Sequence, residues 1–272
     1  MHVLVTADLH LDTWQHAARD PFSSALPALG AIDVLIVAGD LADNPIRNWP
    51  MALSRLSMLM DPSKIYILPG NHDYYHFNVS GDERLQGMVE SAGMNWAQKA
   101  VVEIDGVRFL CATLWTDFRL SGDEAAAKHA AGRAMNDYQL ITQTAAGDRL
   151  LPQHTAAIHV DHLVWLTAEI ARPSSGRTII ITHHGPSPSA SGPIDQITPA
   201  FVSNLDDWIL HHKPDCWLFG HTHRRLTGKV GSTPIINVSL GYPSEVPDGD
   251  VADILLRGRL DTRATQLLNN AP

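Results

Sequence analysis

Three short apolar runs in the first quarter of the chain each have a polar residue at their end or one position before it. They are HVLVTADL (2–9), DVLIVAGD (33–40) and KIYILPGN (64–71). Continuous apolar runs of this length are typical of strands buried on both faces. Segments with helical spacing lie between them, so the pattern predicts parallel strands joined by helices. In such a fold, ligand-binding side chains collect beyond the carboxyl ends of the strands.

The second half of the chain predicts more strands and a long helical region. The segment QKAVVEIDGVRFLCATLW (98–115) predicts a hairpin that turns at Asp105 and Gly106, since both positions tolerate positive φ. Residues 122–172 are predicted to be mostly helical. Further strands are expected in RTIIITHH (177–184), CWLFGHTH (216–223), TPIINVSL (233–240) and VADILLRG (251–258).

Composition limits the class of protein. A chain of 272 residues with 44% hydrophobic residues is expected to form one domain over 1–272, with 114–172 as a cap-like helical insertion. The formal net charge of −9 opposes binding to nucleic acid or anionic lipid. Cys111 and Cys216 lie in apolar runs and indicate buried free thiols. With neither an export signal nor a membrane span visible, we expect a cytoplasmic protein; its oligomeric state is open.

Every predicted strand with a polar end carries residues that can bind metal. His221 and His223 follow CWLF, and in an extended chain both rings would point to one face, although a solvated histidine-rich loop is an equal alternative for this stretch alone. The partners needed for a metal site are at the ends of the other strands: Asp8, His10, Asp40, Asn71, His72 and His183. Mixed nitrogen and oxygen ligands without thiolates suit Mn, Fe, Zn or Ni, and their number suits two ions.

The motifs DLH (8–10), GD (39–40), GNHD (70–73), THH (182–184) and GHTH (220–223) resemble the five ordered motifs of the calcineurin-like metallophosphoesterases. The resemblance implies two mixed β-sheets packed face to face with flanking helices. It implies one metal on Asp8, His10, Asp40 and His223, a bridge through Asp40, and a second metal on Asn71, His183 and His221.

The expected activity is hydrolysis of a small phosphoester by a metal-bridging hydroxide, with Mn as the favoured metal and a phosphodiester slightly preferred over a monoester. His72 is expected to serve the leaving group, and Asp73 to orient its ring. Two alternatives remain: a nuclease of the same superfamily and a non-catalytic scaffold on the same fold.

Several residues near the motifs have no assigned role from sequence. They are Tyr74, Tyr75, Asp117, Asp137 and His184. His184 is expected to be a neighbour of the site rather than a ligand, because His183 comes first after the strand. Aromatic packing and pocket lining are equally good interpretations of Tyr74 and Tyr75. His159 and His162 share one helix face, where packing is the expected role.

Overall fold

A computed structural model describes residues 1–264 of the chain. The strands are β1 (His2–Thr6), β2 (Val34–Ala38), β3 (Ile65–Leu68), β4 (Asn95–Trp96), β5 (Ala100–Ile104), β6 (Val107–Ala112), β7 (Thr178–Thr182), β8 (Cys216–Phe219), β9 (Thr227–Val230), β10 (Thr233–Asn237) and β11 (Arg259–Asp261). The α-helices are α1 (Leu11–His16), α2 (Leu26–Leu29), α3 (Pro45–Ser57), α4 (Asp82–Ser91), α5 (Glu124–Ala134), α6 (Asp137–Leu140), α7 (Pro152–Ile170), α8 (Asp206–His212) and α9 (Val251–Leu255).

These strands form two mixed sheets, as predicted. The first has the order β11-β1-β2-β3-β4 and the second the order β5-β6-β7-β8-β10-β9. Pairs β1/β2, β2/β3, β6/β7 and β7/β8 are parallel, whereas β11, β5 and β9 pair antiparallel. The carboxyl ends of the central strands therefore lie at one edge of each sheet.

Alternate side chains of the central strands point to different layers. Val5 and Ile36 from the first sheet meet Phe109 and Ile181 from the second in a core between the sheets. The intervening residues pack against helices: Leu35 joins the cluster that contains Trp49 of α3. In the second sheet, residues such as Ile180, Leu110 and Trp217 pack with Leu166 of α7 and Ile209 of α8. The predicted sandwich with flanking helices is confirmed.

The predicted hairpin is confirmed, and one predicted strand is wrong. β5 and β6 pair antiparallel, and the turn between them has φ of 50° at Asp105 and 78° at Gly106. The segment 251–258 was expected to be a strand but begins as α9. Its apolar residues Val251, Ile254 and Leu255 are buried at helical spacing, so they cover one helix face. The last described strand, β11, follows at 259–261.

The helical segment 122–172 forms as predicted. α5, α6 and α7 lie in it, and α7 packs on the second sheet. Its role as a cap stays a prediction. Cys111 and Cys216 are buried free thiols, as their apolar surroundings indicated. Within residues 1–264, no helix combines the length and the apolar character that crossing a bilayer would need.

Candidate metal centre

The polar strand ends converge at one site. Asp8 and His10 follow β1, Asp40 follows β2, Asn71 and His72 follow β3, His183 follows β7, and His221 and His223 follow β8. Burial is nearly complete for most of them: Asp8, His10, Asp40, Asn71 and His183 expose 1% or less of their surface. Buried charges of this density need partners of opposite charge.

Left-handed backbone conformations turn these side chains inward. Non-glycine residues rarely adopt positive φ, yet Asp8, His10, Asp40, His221 and His223 all do, with φ between 38° and 69°. Such local strain is typical of functional sites. His221 and His223 are therefore not in an extended segment, and the expectation from the local pattern that both rings point to one face is wrong. They lie in different clusters of possible ligands.

The first ligand group consists of Asp8, His10, Asp40 and His223, whose candidate ligand atoms lie within 4.8 Å of one another. His223 Nε2 lies 3.1 Å from His10 Nε2 and 3.3 Å from Asp8 Oδ1. Asp40 Oδ2 is 3.9 Å from His10 Nε2. Two imidazoles and two carboxylates thus face one small space.

The second ligand group consists of Asp40, Asn71, His183 and His221. Asp40, His183 and His221 meet the same 4.8 Å limit. His183 Nε2 lies 3.3 Å from Asp40 Oδ2 and 2.9 Å from Asn71 Oδ1. Asp40 is common to both groups, so a cation in either position would contact it.

Unsatisfied atoms show that both groups suit cations. Asp40 Oδ2 and His221 Nε2 are buried and have no hydrogen-bond partner within residues 1–264. His183 Nδ1 donates to the carbonyl oxygen of Ala38, so in the neutral ring Nε2 is an acceptor that faces the oxygens of Asp40 and Asn71. Acceptors that face one another in a buried site repel unless a cation or a proton lies between them. The nitrogen and oxygen donors fit divalent transition metals.

Without a metal, protons take this place. Burial opposes a charge on His183, but the carboxylate of Asp40 outweighs it and raises the pKa of His183 to about 9. For His223, burial is likewise outweighed by Asp8 and Glu245, and the pKa rises to about 10. The site therefore favours positive charge at both positions, as a metal centre should.

His72 lies beside the two groups, and its partner is not the residue expected. Its Nδ1 lies 2.7 Å from Asp43 Oδ1, and its backbone N–H donates to Asp40 Oδ1. Burial opposes a charge on the ring, but Asp40 and Asp43 together raise the pKa of His72 to about 9. Asp73 was expected to orient this ring. In the structure Asp43 does so.

Asp73 instead holds the surrounding backbone. Its carboxylate is fully buried and accepts five hydrogen bonds: from the N–H groups of Asp40, Leu41, Ala42 and Gly70 and from the indole of Trp49. Burial and the charge of Asp40 raise the pKa of Asp73 to about 7, whereas these donors favour its ionised form. Asp73 therefore ties the loop after β2 to the loop after β3 and acts on the site only through them.

The GNHD motif also needs its glycine. A Cβ on Gly70 would lie 2.7 Å from the backbone nitrogen of Asp40 and 2.7 Å from His183 Cε1. Side chains of any size are thus excluded at this position, because the backbone approaches both ligand groups closely.

Four further residues contact the site: Asp43, Asp137, Tyr242 and Glu245. None of them had an assigned role from the sequence. Asn71 Nδ2 donates to Asp137 Oδ1 at 2.6 Å, which turns the amide oxygen of Asn71 toward His183. Glu245 Oε2 lies 2.8 Å from His223 Nδ1. The ring of Tyr242 lies 4.3 Å from that of His10. Only Asp43 and Asp137 had a signal in the sequence, through the stretches GDLAD and MNDY.

Tyr242 and Tyr75 frame His72. The Tyr242 hydroxyl is 3.4 Å from His72 Nε2, and the Tyr75 ring lies 4.1 Å from the His72 ring at 30°. Tyr75 is therefore a neighbour of the site. Tyr74, by contrast, donates from its hydroxyl to Asp82 and is core packing.

His184 stacks between the site and the interior. Its ring lies 5.0 Å from Trp115 and 4.3 Å from His221. Burial lowers the pKa of His184 well below its usual value, so the ring is neutral. His184 packs against His221, which agrees with the prediction that it is a neighbour of the ligands.

Contacts of His159, His162 and Asp117 hold the loop after β6 in place. His159 Nδ1 contacts the carbonyl oxygen of Trp115, and His162 Nδ1 accepts a hydrogen bond from the N–H of Leu114. Both histidines are buried, in agreement with their expected packing role. The Asp117 backbone N–H donates to Ser203.

Comparisons with known proteins agree with this geometry. The calcineurin-like phosphoesterase family matches residues 1–225. The chain is 24% identical over 230 residues to the uncharacterized protein L509 of Acanthamoeba polyphaga mimivirus, covering 78% of this chain and 79% of that protein. A shorter match of 48 residues, 42% identical, links it to the putative metallophosphoesterase F40B5.2 of Caenorhabditis elegans and covers 18% of this chain and 10% of that protein.

Solved structures share the fold. The phosphopantetheinyl hydrolase of Mycobacterium tuberculosis superposes with a TM-score of 0.66 at 19% identity, covering 89% of this chain and 90% of the other. A dimetal phosphatase of Danio rerio gives a TM-score of 0.51 at 15% identity, covering 91% and 89%. Taken with the family match over residues 1–225 and the ligand groups at the strand ends, these findings show that the chain belongs to the calcineurin-like phosphoesterase family and is a metal-dependent phosphoesterase.

Proposed function

We propose that the protein hydrolyses a small phosphoester with two divalent ions that share Asp40. The observation that carries this proposal is the position of Asp40 Oδ2, which lies 3.3 Å from His183 Nε2 in one ligand group and 3.9 Å from His10 Nε2 in the other. The first ligand group would hold one ion and the second ligand group the other.

The ions would supply an acidified water as nucleophile and positive charge next to the phosphoryl oxygens. The donor set contains imidazole, carboxylate and amide oxygen, and we propose Mn as the metal, with Fe, Zn and Ni as the alternatives for the same donors. The protein's own contribution is to hold these donors rigidly in a buried pocket, so that little reorganisation accompanies the reaction.

His72 would provide the proton that the leaving oxygen needs. Because Asp43 engages Nδ1, Nε2 is left for the substrate, with the Tyr242 hydroxyl 3.4 Å away, and the carboxylates of Asp40 and Asp43 raise the pKa of the ring to about 9 in the metal-free protein. General acids of this kind typically contribute about 10²–10⁴ in rate. We therefore assign His72 to leaving-group protonation and Asp43 to positioning it.

Charge supports a small substrate. At a formal net charge of −9 the protein gains little from the counterion release that drives binding to nucleic acid. Near the site, Arg19 and Arg225 are paired with Asp248 and Asp250. With few cations left to neutralise a monoester dianion, we propose that a phosphodiester, which carries one charge less, is slightly preferred. Two buried free thiols support a reducing, cytoplasmic location.

The test compares three substrates under one salt concentration, with the metal-free protein reloaded in turn with Mn, Fe, Zn and Ni. They are an aryl phosphomonoester, an aryl phosphodiester and single-stranded DNA. We expect the highest kcat/KM for the diester and little cleavage of DNA. Dominant DNA cleavage that falls steeply with salt would favour a nuclease, and no turnover with any metal would favour a scaffold.

A further inference from the structure

A small cavity lies beside the second ligand group, between the loop after β7 and the loop after β8. Its volume is about 80 Å³, and Phe201, Thr222 and Arg224 are among its lining residues. The Phe201 ring is 4.6 Å from the ring of His221, and Thr222 and Arg224 each follow a candidate ligand directly in the chain. A substrate held at the metal centre therefore has this cavity within reach.

Arg224 is an uncommitted cation at the cavity wall. Within residues 1–264, no hydrogen bond or ion pair to its guanidinium is found, whereas nearby Arg225 pairs with Asp250 at 3.3 Å and Arg19 pairs with Asp248 at 2.5 Å. In a chain with nine more acidic than basic residues, a guanidinium that forms no ion pair with any described carboxylate is available for a ligand beside the candidate metal centre.

The backbone is shaped to receive this guanidinium. Gly192 has φ of 72°, and a Cβ built on it would lie 3.2 Å from Arg224 Nη1. Positive φ and close approach both favour glycine here. The position of the Arg224 guanidinium at the cavity wall thus depends on the close approach of Gly192 from the other loop.

One carboxylate shares the cavity, and its interactions are already provided by its own loop. Asp195 Oδ1 accepts hydrogen bonds from the N–H groups of Ile197 and Thr198 and from the Thr198 hydroxyl, at 3.0, 2.9 and 2.8 Å. These three donors, first of all the Thr198 hydroxyl, lower the pKa of Asp195 and stabilise its charge, with Arg224 as the smallest contribution. Arg224 is therefore not needed to neutralise Asp195.

We propose that this cavity is a substrate subsite, the Arg224 subsite, that binds a second anionic group on the phosphoester. Its volume corresponds to about two or three water molecules, which is the size of a phosphate, sulfonate or carboxylate group. Phe201 forms the apolar side that separates this group from His221. The inference rests on the proposed function, since it concerns the other end of the same substrate.

Two aryl phosphodiesters test the proposal. The 4-nitrophenyl ester of propyl phosphate is compared with its 3-sulfonatopropyl analogue, in which a sulfonate that cannot be hydrolysed stands for the second anion. With the Mn-loaded wild type, we expect a higher kcat/KM for the sulfonated ester, chiefly through a lower KM. Arg224→Gln should reduce this preference about tenfold, the lower end for a charge-assisted hydrogen bond at an exposed residue, and Arg224→Lys should restore part of it.

Arg225→Gln is the matched control, because it removes the neighbouring arginine that is already paired with Asp250; the preference should not change. Gly192→Ala should lower the preference by displacing the guanidinium. Equal preference in wild type and Arg224→Gln overturns the subsite while leaving the proposed function intact. Failure to hydrolyse both of these esters and the aryl phosphomonoester with any metal overturns the proposed function itself, so the two failures are distinguishable.

Discussion

The two ligand groups share Asp40 but are supported in different ways. In the second group, His183 is held by a backbone carbonyl inside the sheet and Asn71 by the buried carboxylate of Asp137. In the first group, His223 is held by Glu245, whose side chain is 45% exposed. Glu245 and Tyr242 come from a loop beyond residues 1–225, the part that matches the family. The second group is therefore part of the core, whereas the first is completed at the surface.

The largest effect is expected when Asp40, the residue that both groups share, is removed. Asp40→Ala should abolish activity and lower the occupancy of both positions, because the carboxylate contacts His183 on one side and His10 on the other. Elemental analysis of purified protein measures the occupancy, with Asp207→Ala, an exposed change on α8, as control. Full occupancy by two ions in the Asp40→Ala protein would exclude the shared position.

His72→Ala should separate chemistry from metal binding. We expect kcat to fall by about 10²–10⁴, with both ions retained, since His72 is outside the two groups. The loss should be larger for alkoxide than for 4-nitrophenolate leaving groups, because the latter need no proton. Exposed His76 offers the control, His76→Ala. An equal loss with both leaving groups would assign His72 to charge stabilisation instead.

Asp73→Asn should disturb both groups through the backbone rather than through His72. Two buried N–H groups, those of Asp40 and Gly70, donate to Asp73 Oδ2. In the variant, if the amide oxygen takes the position of Oδ1, the amide nitrogen takes the position of Oδ2, and both N–H groups lose their acceptor. At roughly 1–3 kcal/mol for each unsatisfied group, we expect the free energy of unfolding to fall by about 3 kcal/mol. Urea denaturation measures it, and Asp61→Asn in an exposed turn is the control. If the free energy of unfolding is unchanged but the dependence of kcat on the leaving group changes, Asp73 acts on His72 as the sequence predicted.

A pair of changes compares the two kinds of support directly. Asp137→Asn should weaken metal binding at the second group by about 10–100-fold, the usual cost of losing a residue that orients a ligand. Glu245→Gln should weaken binding at the first group by less, because the carboxylate is partly in water. Stepwise Mn titration followed by electron paramagnetic resonance resolves the two positions. Equal weakening at both positions in either variant would contradict the distinction.

The smallest effect is expected for Tyr242→Phe. The change keeps the ring on His10 and removes only the hydroxyl that lies 3.4 Å from His72 Nε2, so metal content should be unchanged and kcat should fall less than in His72→Ala. Tyr75→Phe, which keeps the other ring against His72, provides the comparison. A loss of metal in Tyr242→Phe would show that the surface loop acts on the first group itself.

The chemistry of this centre was predictable from local pattern. Apolar runs that end in Asp8, Asp40, Asn71, His183 and His221 indicate parallel strands with metal-binding ends, because parallel strands bring their carboxyl ends to the same edge. The hairpin at Asp105 and the buried thiols follow equally from local pattern. Each of these inferences depends only on neighbouring residues.

Two predictions were wrong because the sequence pattern behind each of them is short. VADILLRG has apolar residues that fit a strand or a helix, and only the contact of Val251, Ile254 and Leu255 with the core decides for α9. Likewise, two histidines one residue apart suggest an extended segment, but left-handed φ at His221 and His223 sends them to different ligand groups. Backbone strain of this kind is imposed by packing around the loop and has no local signal.

Residues near the motifs in sequence were not always their partners in space. Asp73 follows His72 but binds backbone N–H groups, while Asp43, from the loop after β2, meets the imidazole. Asp137 and Glu245 reach Asn71 and His223 over 66 and 22 positions. The sequence alone indicated parallel strands with metal-binding residues at their ends, since both follow from periodic local patterns, and its resemblance to a known family implied the two-sheet sandwich. Only the tertiary structure decided which side chain supports each ligand and where Arg224 faces an open cavity, because these contacts depend on how distant loops pack.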